Sequence, residues 1–275
     1  MKEELRYAPI GVFDSGVGGL TVAREIMRQM PNERIVYFGD TARVPYGSKS
    51  KDTIIRFSRQ IVRFLKSRQV KAIVAACNTA SALALDDIQG ELDLPAIGVI
   101  RPGAKVAAGI TKNGKIGVAA TESTIESGLY TRTIHETNPY AQVFGKACPL
   151  FVPLVEEGWL NDPVTIEVAN RYLEPMLSSG IDTLIMGCTH YPLLRSTFIK
   201  VAGPDITLVN PAYETAAELE RMLRRDGLAN DGLGQRYDVT HEFYVSDAAN
   251  KFRTFANSIL PYDVNRIQLV DIESC

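Results

Sequence analysis

Apolar positions along this chain alternate between two kinds of spacing. Short uninterrupted apolar runs at 8–13, 35–38, 71–76, 96–100, 115–120 and 183–186 read as buried strands. Between them lie longer stretches whose apolar residues recur every three or four positions. Residues 20–30 put Leu20, Ala23, Met27 and Met30 on one stripe, and 51–67 put Ile54, Ile55, Ser58, Ile61, Val62 and Leu65 on one side. Further helices are expected over 80–88, 104–110, 164–178, from near Pro192 to about 201, 211–225 and 248–259. Pro175 is expected to bend or end its helix. Shorter strands are expected at 142–144, 205–210, 242–245 and 266–270, with a glycine-rich polar loop at 228–235.

Strand and helix alternate throughout, which argues for parallel sheets covered by helices on both faces. The pattern restarts near Arg101-Pro102-Gly103. The expected fold is α/β, with two similar domains, each a mostly parallel sheet flanked by helices. The first comprises 1–102 plus 211–275 and the second 103–210, because the tail after Pro211 is too short for a third domain.

Composition narrows the function without choosing it. The 275 residues are 45% hydrophobic and 23% charged, ordinary for a globular protein. A net charge of −2 gives a nucleic-acid partner no electrostatic support. No run approaches 18 uninterrupted apolar residues and residues 1–9 lack an apolar signal region, so a cytoplasmic protein without a membrane span is expected. The four cysteines, Cys77, Cys148, Cys188 and Cys275, form no C-x-x-C pair, so zinc and thioredoxin patterns fail and no metal is expected.

Cys148 and Cys275 read as packing residues. Cys77 and Cys188 differ, because each follows an apolar strand and precedes a polar, helix-starting stretch: Cys77-Asn78-Thr79 in one half, Cys188-Thr189-His190 in the other. The carboxyl ends of parallel strands are where α/β proteins bind ligands. Helix-start N–H groups lower a thiol's pKa there. Asp14, at the end of the first strand and before the glycine loop 16–19, points toward the same ligand crevice. That loop matches neither the dinucleotide nor the P-loop pattern.

Two thiols on opposite sides of one carbon can invert it. A thiolate takes the proton, the carbon flattens, and a thiol returns a proton to the far face. Cysteine suits both roles because its reference pKa is about 8.5. Neither thiol strand carries a lysine at its ligand end for a pyridoxal Schiff base, so no cofactor is expected. The developing charge would be met by main-chain N–H groups with Asn78, Thr79 and Thr189. Asp14 and His190 are candidate proton relays for the nearer cysteine. Thr121 and Thr124 suit a helix cap, a use compatible with binding a carboxylate. Tyr46 suits a ligand hydrogen bond or packing. The Pro-rich segment 148–158 carries adjacent acids, Glu156 and Glu157.

Five motifs add a resemblance: GVFDSGVGGLTV at 11–22, YFGDTARVPYG at 37–47, ACNTASA at 76–82, CPLFVPLVEEG at 148–158 and GCTHYPLLR at 187–195. Together, in this order over nearly the whole chain, they resemble the glutamate racemases of the cofactor-independent aspartate/glutamate racemase superfamily. The resemblance implies interconversion of L- and D-glutamate, the D-isomer serving peptidoglycan. It implies that Cys77 serves the D-isomer and Cys188 the L-isomer, in a cleft between two α/β domains. By the same resemblance Asp14, Ser15, Tyr46, Gly47, Asn78, Thr79, Thr189 and His190 contact substrate, Thr121 binds a carboxylate and Glu156 assists. A homodimer is implied too. Asn210-Pro211 departs from the Asp-Ser common among relatives. The residues alone leave open a racemase for aspartate or another acidic amino acid, a small-anion binding protein, or a dithiol redox protein.

Overall fold

Residues 2–232 and 239–274 are described by the computed structural model. Cys275 and residues 233–235 of the expected 228–235 loop lie outside them. Among the described residues the strands are β1 (Ile10–Asp14), β2 (Ile35–Gly39), β3 (Ala72–Ala75), β4 (Ala96–Gly98), β5 (Lys115–Ala120), β6 (Gln142–Ala147), β7 (Thr183–Gly187), β8 (Thr207–Val209), β9 (Glu242–Val245) and β10 (Ile267–Leu269). They form two parallel sheets, ordered β10-β9-β2-β1-β3-β4 and β6-β5-β7-β8. The chain divides into two compact units, Met1–Val99 with Thr215–Cys275, and Ile100–Glu214.

In the first unit, successive residues of a strand point to opposite faces, and both faces are covered. Phe13, Val36, Phe38, Ile73 and Tyr244 pack on one face against Ile54, Ile61 and Leu65 of the helix Lys51–Ser67. Tyr37 and Phe243 instead meet Phe252 of the helix Ala249–Ile259, with ring centroids 5.7 and 6.3 Å away. The helix Lys51–Ser67 starts where Ser50 accepts a hydrogen bond from the Thr53 N–H at 3.4 Å, and Asp52 in its first turn suits the helix dipole. Each of its buried Ile, Leu and Phe side chains contributes about 1.5–3 kcal/mol over remaining exposed.

Local helix boundaries differ from expectation where packing intervenes. The stretch 80–88 is two helices, Asn78–Leu83 and Leu85–Gln89, separated at Ala84. Helix Ile100–Ile110 starts four residues early, since Pro102 falls in its first turn, where no intrahelical N–H is required. Pro175 lies inside Pro163–Ser178 near its end, and the helix continues three residues past it. The expected helix from Pro192 is a 3₁₀ turn, Tyr191–Leu194, leading into Arg195–Ala202.

His241 stands just before β9. Its Nδ1 accepts a hydrogen bond from the Ile35 N–H at 3.2 Å, and its ring stacks on Tyr262. Burial, aided by the nearby Arg34 charge, lowers its pKa to about 4 from 6.5. The unfolded chain therefore takes up a proton near pH 6.5 that the folded chain refuses until about pH 4. His241 stabilises fully above pH 6.5, and the contribution is lost as pH falls toward 4. Urea titrations at pH 7.5 and pH 5 are expected to show a loss of about 1–2 kcal/mol from this group. His241→Asn should flatten that part of the slope.

Candidate active site

Each unit ends one central strand in a thiol. In the first unit the ladder runs one residue past β3, because the Ala76 N–H donates to the Phe13 carbonyl at 2.8 Å. Cys77 is still extended and immediately precedes the helix Asn78–Leu83. That turn is fixed from both sides: the Ser81 N–H donates to the Cys77 carbonyl at 2.8 Å, and the Ser81 hydroxyl donates to the Ala75 carbonyl at 2.8 Å. Cys77, Asn78 and Thr79 are all buried. The Cys77 thiol lies 3.6 Å from the Ser15 hydroxyl, toward which it can donate.

Asp14 ends β1 beside this turn and is buried. Its Oδ2 accepts a hydrogen bond from the Gly16 N–H at 2.9 Å. Gly19 permits that loop to close, since a Cβ there would stand 2.5 Å from Asp14 Cβ and 3.0 Å from Ala76 Cβ. The Tyr37 hydroxyl donates to the Gly16 carbonyl at 3.1 Å. Burial keeps this phenol protonated, and the neighbouring negative charges of Asp14 and Cys77 add to the effect. Tyr46 is buried with its hydroxyl donated to Asp40 at 2.5 Å, so its side chain points inward and Gly47 is half-buried beside it.

In the second unit Ala120 of β5 is in register with Ala147 of β6 and Gly187 of β7. Thr121, Cys148 and Cys188 therefore follow adjacent strand ends. Gly187 is required there, because a Cβ would lie 2.8 Å from the Ala119 carbonyl oxygen. The Tyr191 N–H donates to the Cys188 carbonyl at 3.0 Å, and the Tyr191 hydroxyl donates to the Cys148 carbonyl at 2.8 Å. Tyr191 packs edge-on to Phe151, so the turn 188–191 is wedged onto the core.

Cys188, Thr189 and His190 are buried. His190 bridges a thiol and a carboxylate: Nδ1 is 3.8 Å from Cys188 Sγ, and Nε2 is 3.2 Å from Glu156 Oε1. A carboxylate at Nε2 favours the proton on that nitrogen, leaving Nδ1 to accept one from the thiol. Glu156, the last residue of the helix Phe151–Glu156, makes this contact, whereas Glu157 is exposed. Thr121 precedes the helix Glu122–Glu126 without a side-chain cap bond, and its hydroxyl donates to the Thr124 hydroxyl at 2.9 Å. The cap expected from the sequence is therefore not formed. The Cys148 thiol faces the Lys146 carbonyl at 3.4 Å, and burial pushes its pKa up to about 12, which keeps it protonated.

Two tyrosines beside these turns are not singled out from the sequence, Tyr37 of β2 and Tyr130 of the helix Leu129–Thr137. Tyr37 lies against the Asp14 loop. Tyr130 is buried 3.2 Å from where a Gly187 Cβ would stand, and burial with the nearby Cys188 charge raises its pKa. Among the described residues no cluster of three His, Cys, Asp or Glu side chains is placed to hold a metal ion, and no helix is long and apolar enough to cross a membrane.

Known proteins resemble this chain in sequence and fold. The profile of the Asp/Glu/Hydantoin racemases matches residues 10–219. A glutamate racemase of Neisseria meningitidis is 48% identical over 268 residues, covering 97% of this chain and 98% of that protein. The crystal structure of glutamate racemase isoform RacE1 from Bacillus anthracis superposes with a TM-score of 0.92 at 42% identity, covering 97% and 98% of the two chains. Glutamate racemase from Francisella tularensis, solved in complex with D-glutamate, gives 0.90 at 38% identity over 98% and 100%. With a profile matching most of its length and relatives nearly half identical throughout, the chain belongs to the Asp/Glu/Hydantoin racemase family.

Proposed function

We propose that this chain interconverts L- and D-glutamate without a cofactor, using Cys77 and Cys188 as its two acid/base groups. The observation that carries the reading is that each parallel sheet ends in a buried thiol at the start of a helical turn, in a chain nearly half identical to a glutamate racemase.

Starting from L-glutamate, Cys188 as thiolate takes the α-proton and becomes a thiol. Cys77 as thiol gives its proton to the opposite face and becomes a thiolate. The enzyme is left with its protonation pattern exchanged, so the D-isomer is taken back by the same steps in reverse. His190, held by Glu156, helps bring Cys188 to the thiolate, and Ser15 with Asp14 serves Cys77. The charge that grows on the substrate carboxylate is met by main-chain N–H groups after each cysteine, with Asn78, Thr79 and Thr189. Thr121, Tyr46 and Gly47 hold the substrate. In the cell the enzyme acts in the cytoplasm as a homodimer, and its D-glutamate serves peptidoglycan synthesis.

Circular dichroism of L-glutamate with purified protein, treated beforehand with a carbonyl reagent that traps pyridoxal phosphate, is expected to decay to zero. L-Aspartate, one methylene shorter, is expected to react roughly 10–200-fold more slowly. Faster turnover of aspartate would reassign the substrate. Binding of glutamate with an unchanged signal would make this an anion-binding protein.

A further inference from the structure

Asp40 follows β2 directly, and its side chain is wholly buried. It accepts hydrogen bonds from the Tyr46 hydroxyl at 2.5 Å, the Ser246 hydroxyl at 2.9 Å and Arg43 Nε at 2.7 Å. Arg43 Nη1 reaches onward to Gln60 Oε1 at 2.6 Å and to Glu273 Oε1 at 3.1 Å. Its guanidinium lies 4.0 Å over the Phe57 ring, which also packs on Tyr46. The segment between them is pinned as well, since the Ala42 N–H donates to the Ser246 hydroxyl at 2.9 Å.

A buried carboxylate is costly unless every partner is in place. Here two of the partners, Arg43 and Tyr46, come from the short segment 41–47 and the third, Ser246, from the end of β9, while Gln60 and Phe57 of the helix 51–67 and Glu273 hold Arg43 in turn. The segment turns the polar groups of Arg43 and Tyr46 inward to Asp40. At positions 46 and 47 it therefore has main chain to offer a ligand, not the Tyr46 hydroxyl.

We infer that Asp40 is a positioning residue for substrate: by holding Arg43, Tyr46 and Ser246 together it fixes the 46–47 main chain against glutamate. The inference rests on the racemase reading, in which Tyr46 and Gly47 contact substrate. It adds that the contact is set by a carboxylate that never touches the substrate. A loop that holds the part of glutamate common to both enantiomers acts on binding, and loosening it raises KM in both directions alike.

The test is steady-state kinetics with L- and with D-glutamate on Asp40→Asn, Tyr46→Phe and Ser246→Ala, with thermal unfolding of each. Asp40→Asn and Tyr46→Phe are expected to raise KM about tenfold in both directions, with kcat within about threefold of the parent. Ser246→Ala, which removes one of the three partners, should raise KM about threefold. A loss confined to kcat, or an unchanged KM in folded Asp40→Asn or Tyr46→Phe, overturns the inference. If Asp40→Asn does not fold, Tyr46→Phe decides, since it keeps the packed ring and removes only the hydroxyl. A parent protein that binds glutamate without racemising it overturns the racemase reading instead, and the same variants are then compared by calorimetric Kd. A parent that does not bind glutamate overturns both.

Discussion

Cys77→Ala and Cys188→Ala are each expected to lower racemisation of glutamate by roughly 10²–10⁴-fold, the range for losing an essential acid/base group. Two features make both losses severe. Inversion needs a proton removed from one face and another delivered to the opposite face, so neither thiol can stand in for the other. The equilibrium constant between enantiomers is also one, so kcat/KM must fall equally for L- and D-glutamate whichever thiol is lost. The difference between the variants lies in the half-reaction that survives. Cys188→Ala keeps Cys77 and is expected to exchange the α-proton of D-glutamate slowly, without inversion. Cys77→Ala should do the same for L-glutamate. Both variants should fold, because removing one buried sulfur leaves a small cavity worth about 1 kcal/mol. Near-parental turnover in either variant would remove that thiol from the mechanism.

The largest expected effect on stability lies at the opposite end of β3 from Cys77. Lys71 Nζ is wholly buried, within 2.6 Å of the Arg6 carbonyl oxygen, 2.8 Å of the Leu228 carbonyl oxygen and 2.5 Å of Glu33 Oε2. Glu33 Oε1 accepts the Asn230 N–H at 2.8 Å. Burial raises the pKa of Glu33 and lowers that of Lys71, so each charge depends on the other to persist. The pair ties the N-terminal segment and the returning segment 228–230 to the amino end of β3. Lys71→Met strands Glu33 and leaves two carbonyls without their donor. It should cost about 3–5 kcal/mol, which lowers Tm by roughly 10 °C in a chain of this size. Urea titration measures the cost. Replacing both residues, Glu33→Gln with Lys71→Met, should cost less than the sum of the two single changes. A single-variant cost below about 0.5 kcal/mol would show that the pair is not needed.

The sequence shows the layout clearly because strands buried on both faces are apolar at every position, whatever their neighbours are. The runs at 35–38, 115–120 and 183–186 therefore coincide with β2, β5 and β7. The thiol motifs were legible for a related reason: strand end, thiol and turn are contiguous in the chain. What escaped notice depends on partners far apart in sequence. Asp40 meets Ser246 206 positions away, and Lys71 meets Leu228 157 positions away, so nothing local marks either as a hub. The residues alone leave Tyr46 open between a ligand hydrogen bond and packing, and only the position of Asp40 shows that its hydroxyl turns inward. The separation of 78–83 from 85–89 and the 3₁₀ turn at 191–194 fall where packing, not propensity, sets the backbone. The choice between Glu156 and Glu157 needed the position of His190, 34 residues further on.

The most direct test of the two-thiol account follows the label in unmodified protein. L-Glutamate is incubated in deuterated water, and α-hydrogen content is read separately in each enantiomer over the first few per cent of conversion. Two bases on opposite faces predict that all new D-glutamate carries deuterium while the remaining L-glutamate keeps its protium. Protium carried over into the D-isomer, or deuterium entering L-glutamate as fast as D-glutamate forms, would mean that a single group serves both faces.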